Sequence, residues 1–201
     1  MQRLPEPLKA VVDRLARLPG MGPKSALRAA LTLLKEPPES AEALGRSIID
    51  LKRKLCICSR CAGLADSDPC EICSDPGRHE EELLVVSEWD SLLALEEGGF
   101  FRGRYFILGG LLSPLDNVTP GSLEFERLTE RLKEDNVREV VLALGTTLEA
   151  ETTASYIKNF VERKFPGVRL SRLAQGMPLG AEVKFMDRET LKQSLAHRQD
   201  V

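Results

Sequence analysis

Cys58-Ser59-Arg60-Cys61-Ala62-Gly63-Leu64-Ala65-Asp66-Ser67-Asp68-Pro69-Cys70-Glu71-Ile72-Cys73 sets two Cys-x2-Cys pairs eight residues apart. Each pair can place two sulfurs on one ion while backbone N–H groups behind it hydrogen-bond to the thiolates, and two pairs complete a tetrahedral shell. The expected ligands are therefore Cys58, Cys61, Cys70 and Cys73, holding one Zn²⁺. With every coordination position filled by protein, the ion is structural and links about 10 kcal/mol of binding energy to folding, by analogy with zinc fingers. A cluster of reduced, metal-free thiols is the plain alternative, and a redox Cys-x2-Cys is another, although redox chemistry needs only one pair. Cys56 stands at a poorer chelate spacing from Cys61 and is left as a spare thiol.

The quartet divides the chain into two textures. Residues 1–60 carry 12 Lys or Arg against 6 Asp or Glu, whereas the remainder is acidic enough to bring the whole chain to −3. The N-terminal part is thus the polyanion-facing end. Leu8, Val11, Val12, Leu15 and Leu18 follow helical spacing until Pro19-Gly20-Met21-Gly22-Pro23 breaks it, and a second helix runs from Pro23 to Leu34. A third is expected from Ser40, as N-cap, to Leu55, with Leu44, Ile48, Leu51 and Leu55 on one face. The hairpin turn has the makings of a phosphate clamp. Its glycines let backbone approach an anion, the first N–H groups of the second helix point outward, and Lys24 and Arg28 lie one turn apart. It is no Walker A loop, because Pro23 interrupts Gly-Lys-Ser; an ordinary helical hairpin with solvated charges is the alternative.

After Arg78 short β-rich runs alternate with helical segments, the pattern of a parallel sheet flanked by helices. Strands are expected at Leu83–Ser87, Tyr105–Leu108, Glu139–Leu144 and Val168–Ala174. Helices are expected at Glu88–Glu97, Leu123–Asp135, Glu149–Phe165 and Arg188–His197. Hydrophobic residues at 42% and charged residues at 29% describe an ordinary globular chain. With no signal-peptide pattern and no apolar run near 18 residues, a cytoplasmic location without membrane contact is the default. The scattered aromatics offer no stacking platform, His79 and His197 are too few and too distant to form a site, and Asp187 follows a Walker-B-like run, Val183–Met186, without a P-loop to serve.

Leu18-Pro19-Gly20-Met21-Gly22-Pro23-Lys24-Ser25-Ala26-Leu27-Arg28, the quartet that follows it, and the later segments YFILGGLLSPLD, LALGTTLEAETTASYI and QGMPLGAEVKFMDRETLKQSLAHR together resemble the RecR family of bacterial recombination mediators. The resemblance implies a multi-module α/β protein: a helix-hairpin-helix head (1–54), a four-cysteine zinc finger (55–78), a Toprim-like domain (79–174), and a C-terminal Walker-B-like strand with an oligomerising helix (175–201). It implies a non-enzymatic mediator that binds DNA without reading sequence, assembles as a homo-oligomer resembling a ring-like tetramer, and works with RecO and/or RecF to load RecA. Lys24 and Arg28 match the family's DNA-contacting positions, and Glu149 and Glu151 match its partner-contacting acidic residues, although carboxylates at a helix start also suit the helix dipole. Catalytic Toprim domains hold Mg²⁺ with a Glu directly after the first strand and a DxD after a later one. Here Ser87 precedes Glu88, and Leu144-Gly145-Thr146-Thr147 has no carboxylate. A metal-dependent nuclease or topoisomerase-like enzyme using Glu88 and Glu151 is the rival reading.

Overall fold

The computed structural model describes residues 4–198; the outermost residues of the first and last expected modules, 1–3 and 199–201, lie outside it. Two compact units divide at Leu55/Cys56. In the first, α1 (Glu6–Leu15) and α2 (Pro23–Leu33) form a helical hairpin packed through Val12, Ala26 and Ala30, with Leu8, Leu15, Met21 and Leu27 around them. Small alanines let the two backbones approach. Gly20, at φ +75°, makes the left-handed turn that an L side chain would resist. Val11 and Leu18, expected on the same apolar face, are instead exposed.

The third helix, α3 (Pro38–Lys54), starts two residues before the expected cap, so Ser40 lies inside its first turn. Pro38 has the fixed φ of a first helical residue and no N–H to satisfy, and it therefore opens the helix. No residue of α3 is buried, and Leu44, Ile48 and Leu51 stand 45–61% exposed.

The second unit begins with a two-stranded antiparallel ribbon, β1 (Cys56–Ile57) and β2 (Leu64–Ala65), followed by the single turn α4 (Glu71–Ser74). Its body is a parallel sheet in the order β4-β3-β5-β6: β3 (His79–Val86), β4 (Gly103–Ile107), β5 (Glu139–Ala143) and β6 (Arg169–Arg172). Between these strands run α5 (Trp89–Glu97), α6 (Phe125–Glu134) and α7 (Leu148–Lys164). Side chains alternate across the sheet. Leu83, Val85, Phe106, Leu108, Val140 and Leu142 face α6 and α7, which contribute Phe125, Leu128, Leu132, Ala150, Ile157 and Val161. Leu84, Val86, Tyr105 and Ile107 face Trp89 and Leu92 of α5 and Ile72 of the ribbon module. Burial on both faces explains why β3 reads Leu-Leu-Val-Val, with no polar alternation.

The expected Walker-B-like strand is absent. Val183–Phe185 forms a 3-10 turn, exposed throughout, before α8 (Arg188–Ala196). The sheet ends at β6, and residues 183–186 find no strand edge to pair with among the described residues. Asp187, read as a Walker-B carboxylate, is the N-cap of α8, its Oδ1 accepting the Thr190 N–H at 2.9 Å. That carboxyl sits below its ordinary range because the Thr190 hydroxyl and N–H both donate to it.

Candidate metal centre and nucleic-acid interface

The finger is built by two tight loops. In the first, Cys58 donates its N–H to the Gly63 carbonyl at 2.7 Å, Ala62 returns its N–H to the Cys58 carbonyl at 3.0 Å, and Ala62 takes a left-handed φ of 60° to close the loop. The Gly63 N–H then points at Cys61 Sγ, 3.4 Å away, and a Cβ on Gly63 would lie 3.1 Å from that sulfur. In the second, Cys70 precedes α4 and Cys73 rides on it, with the Cys70 N–H 3.4 Å from Cys58 Sγ. The four sulfurs lie within 4.8 Å of one another and all four residues are buried. Convergent buried thiols with N–H groups aimed at their sulfurs fit a tetrahedral zinc ion, which Cys58, Cys61, Cys70 and Cys73 hold as a closed structural site. Cys56 stays outside the cluster, its thiol 3.4 Å from the Ala65 carbonyl.

The finger is part of the Toprim-like body. Ile107 of β4 donates its N–H to the Cys61 carbonyl at 2.8 Å, and Arg127 of α6 donates to the Cys58 carbonyl at 3.0 Å. Arg131, one turn along α6, is 3% exposed and reaches 3.9 Å from Cys73 Sγ. Reading the sequence missed these arginines. A charged residue on an amphipathic helix reads as solvated, and only the fold reveals the finger that covers it.

Lys24 and Arg28 stand exposed on the first turns of α2, one turn apart, and neither enters an ion pair among the described residues. Glycine at the N-cap, Pro23 at the first position and no acidic residue in the first turn leave that helix start open to an anion. Glu149 and Glu151 occupy the first turn of α7, capped by Thr147 Oγ1, which accepts the Ala150 N–H at 3.2 Å. The two differ in state. Glu151 is paired with Arg172 of β6 at 3.0 Å, while Glu149 makes no ion pair among the described residues.

That pairing bears on the rival enzyme reading. Glu88 precedes α5 and Glu151 is engaged by a guanidinium, and among the described residues the only convergent group of metal-binding side chains is the cysteine quartet. No helix among the described residues is long and apolar enough to cross a membrane.

A helical hairpin, a four-thiolate finger and a parallel α/β body define a modular protein of the DNA-handling class. Family models match in the same order: RecR helix-hairpin-helix over residues 8–52, the RecR four-cysteine zinc finger domain over 55–75, Toprim domain over 81–174, and RecR C-terminal over 176–199. The chain is 64% identical to the recombination protein RecR of Nitratidesulfovibrio vulgaris, with both chains covered completely, and 62% identical to that of Maridesulfovibrio salexigens, with 99% of each covered. The RecR of Myxococcus xanthus is 41% identical over 98% of this chain and 99% of its own. The chain belongs to the RecR family.

Proposed function

We propose that this chain grips the DNA backbone through Lys24 and Arg28, docks its partner through Glu149 and Glu151, and assembles as a ring-like tetramer in the cytoplasm. It is a non-enzymatic mediator of recombinational DNA repair, in keeping with its family. RecO and/or RecF are the partners the family membership favours, with RecA loading on gapped or single-stranded DNA as the outcome. We divide the chain for this purpose into the hairpin head (1–54), the finger (55–78), the Toprim-like platform (79–174) and the assembling C-terminal segment (175–201).

The observation that carries the DNA reading is the open start of α2, where two exposed cations and unopposed N–H groups face solvent. Such a site holds phosphate and carries no base readout. The assembly reading rests on apolar side chains left uncovered in both terminal segments. These are Ile48 and Leu51 on α3, and Leu179, Val183, Phe185 and Leu195 towards the C-terminus, all more than 60% exposed.

Fluorescence anisotropy with gapped DNA across a salt series tests the clamp. Lys24→Ala with Arg28→Ala removes two phosphate contacts per chain and flattens the slope of log affinity against log salt, for each hairpin engaged, by about 1.4 for single strands and about 1.8 for duplex. The single-strand defect should therefore shrink at least about sevenfold between 50 and 200 mM salt. An unchanged slope removes the hairpin from the DNA interface.

A further inference from the structure

A guanidinium leaves water only where other charges replace its hydration. Arg131 does so on the core face of α6, beside Leu128 and Leu132, with its side chain 2% exposed. One partner is Asp135, whose Oδ2 lies 2.6 Å from Arg131 Nε, a close ion pair without hydrogen-bond alignment. That carboxylate is shared, because its Oδ1 also meets Arg60 Nη2 from the loop between Cys58 and Cys61. Glu134, the other acid near Arg60 at 3.9 Å, is 66% exposed and largely solvated. Asp135 therefore serves two guanidiniums, and the remaining contact of Arg131 is Cys73 Sγ at 3.9 Å. Four thiolates around Zn²⁺ carry a net excess of negative charge in a buried site, whereas four neutral thiols carry none.

We propose that Arg131 is a positioning residue of the metal centre. Held by Asp135 and aimed at Cys73, its guanidinium offsets the excess charge of the zinc–thiolate cluster, so zinc retention depends on α6 and the order of α6 depends on zinc. Arg60 closes the loop electrostatically by tying the first knuckle to the same carboxylate. The guanidinium nearest the thiolates is thus supplied by α6 of the body. The proposal rests on the quartet holding zinc, which metal analysis of the wild-type chain establishes separately.

The test follows zinc release from the full chain to the chromogenic chelator 4-(2-pyridylazo)resorcinol. Arg131→Gln should release zinc on the order of 10 to 100 times faster, the usual effect of losing an outer-shell partner. Arg131→Lys should recover most of that loss, and Val161→Ala, which loosens the same core from α7 without touching α6 or its charge, should stay near wild type. The proposal is overturned if R131Q keeps the wild-type rate, if R131K leaks as fast as R131Q, or if V161A does. Hydrogen exchange on the wild-type chain carries the test should R131Q fail to fold. Stripping zinc should open the amides of α6 while those of α7 stay protected; unchanged α6 protection, or equal loss in both helices, overturns it.

Discussion

Thr153 is fully buried in the second turn of α7, and its hydroxyl is committed twice. It donates to the Glu149 carbonyl at 2.6 Å and accepts the Leu112 N–H at 2.8 Å, tying the loop beyond β4 to the helix that presents Glu149 and Glu151. Thr153→Val keeps the shape but sets a methyl against that N–H and leaves a buried donor unpaired, at a cost of about 1–3 kcal/mol. The added apolar atom returns about 0.8 kcal/mol, so the net loss is roughly 0.2–2.2 kcal/mol. In a protein of this size that lowers Tm by up to roughly 9 °C. Thr153→Ser loses a similar amount, about 0.8 kcal/mol, for a different reason, since it removes a buried methyl and keeps both hydrogen bonds. Calorimetry of the zinc-loaded chain gives the size of each change, and hydrogen exchange at the Leu112 amide separates the causes: protected in T153S, open in T153V. A T153V protein as stable as wild type with that amide still protected would refute the assignment of Thr153 as the tie.

Ile48→Asp with Leu51→Asp should leave the α1–α2 hairpin folded, because neither side chain is buried, but should shift light scattering towards monomer and weaken DNA binding through lost avidity; an unchanged oligomer removes α3 from the interface. The Ser171 hydroxyl, then the Arg169 guanidinium, holds the Glu139 carboxyl below its ordinary range. A depressed folded pKa means stability that is present above the unfolded value and lost as pH falls through the folded one. Urea midpoints should therefore decline from about pH 4.3 downward, with Glu139→Gln flattening the decline; identical pH profiles would contradict the linkage.

Local spacing makes the quartet, the hairpin turn and the sheet legible in the sequence. Two Cys-x2-Cys pairs, a Gly-Met-Gly turn and β-branched runs between helical stretches each act within sixteen residues or fewer. What depended on distant partners was hidden. The start of β3 is one example: His79–Glu82 is polar, yet it belongs to the strand because His79 pairs with Gly103 ahead of a register shift to Leu83. Aromatics are another, for Phe125, Tyr156 and Phe160 meet across α6 and α7 although 31 residues separate the first two. Arg131 is the strongest case, since its burial depends on Cys73 and Asp135 together. The assignment of Glu149 and Glu151 rests on resemblance alone, and the Arg172 partner that distinguishes them comes from another element, β6.

One helix joins most of these threads. Phe125, Leu128 and Leu132 of α6 fill the core against the sheet, while Arg127 and Arg131, at helical spacing around it, reach the two halves of the finger. The apolar side of α6 fixes where the helix lies, and that position fixes where its guanidiniums can go. The Cys58 carbonyl and the Cys73 sulfur are thus set with respect to the sheet, on whose outer strands Ile107 and Arg172 hold Cys61 and Glu151 in turn. A structural metal fastened in this way orders more than its own short loops. It holds the finger against β4 and α6 of the body as a closed site with no open coordination position.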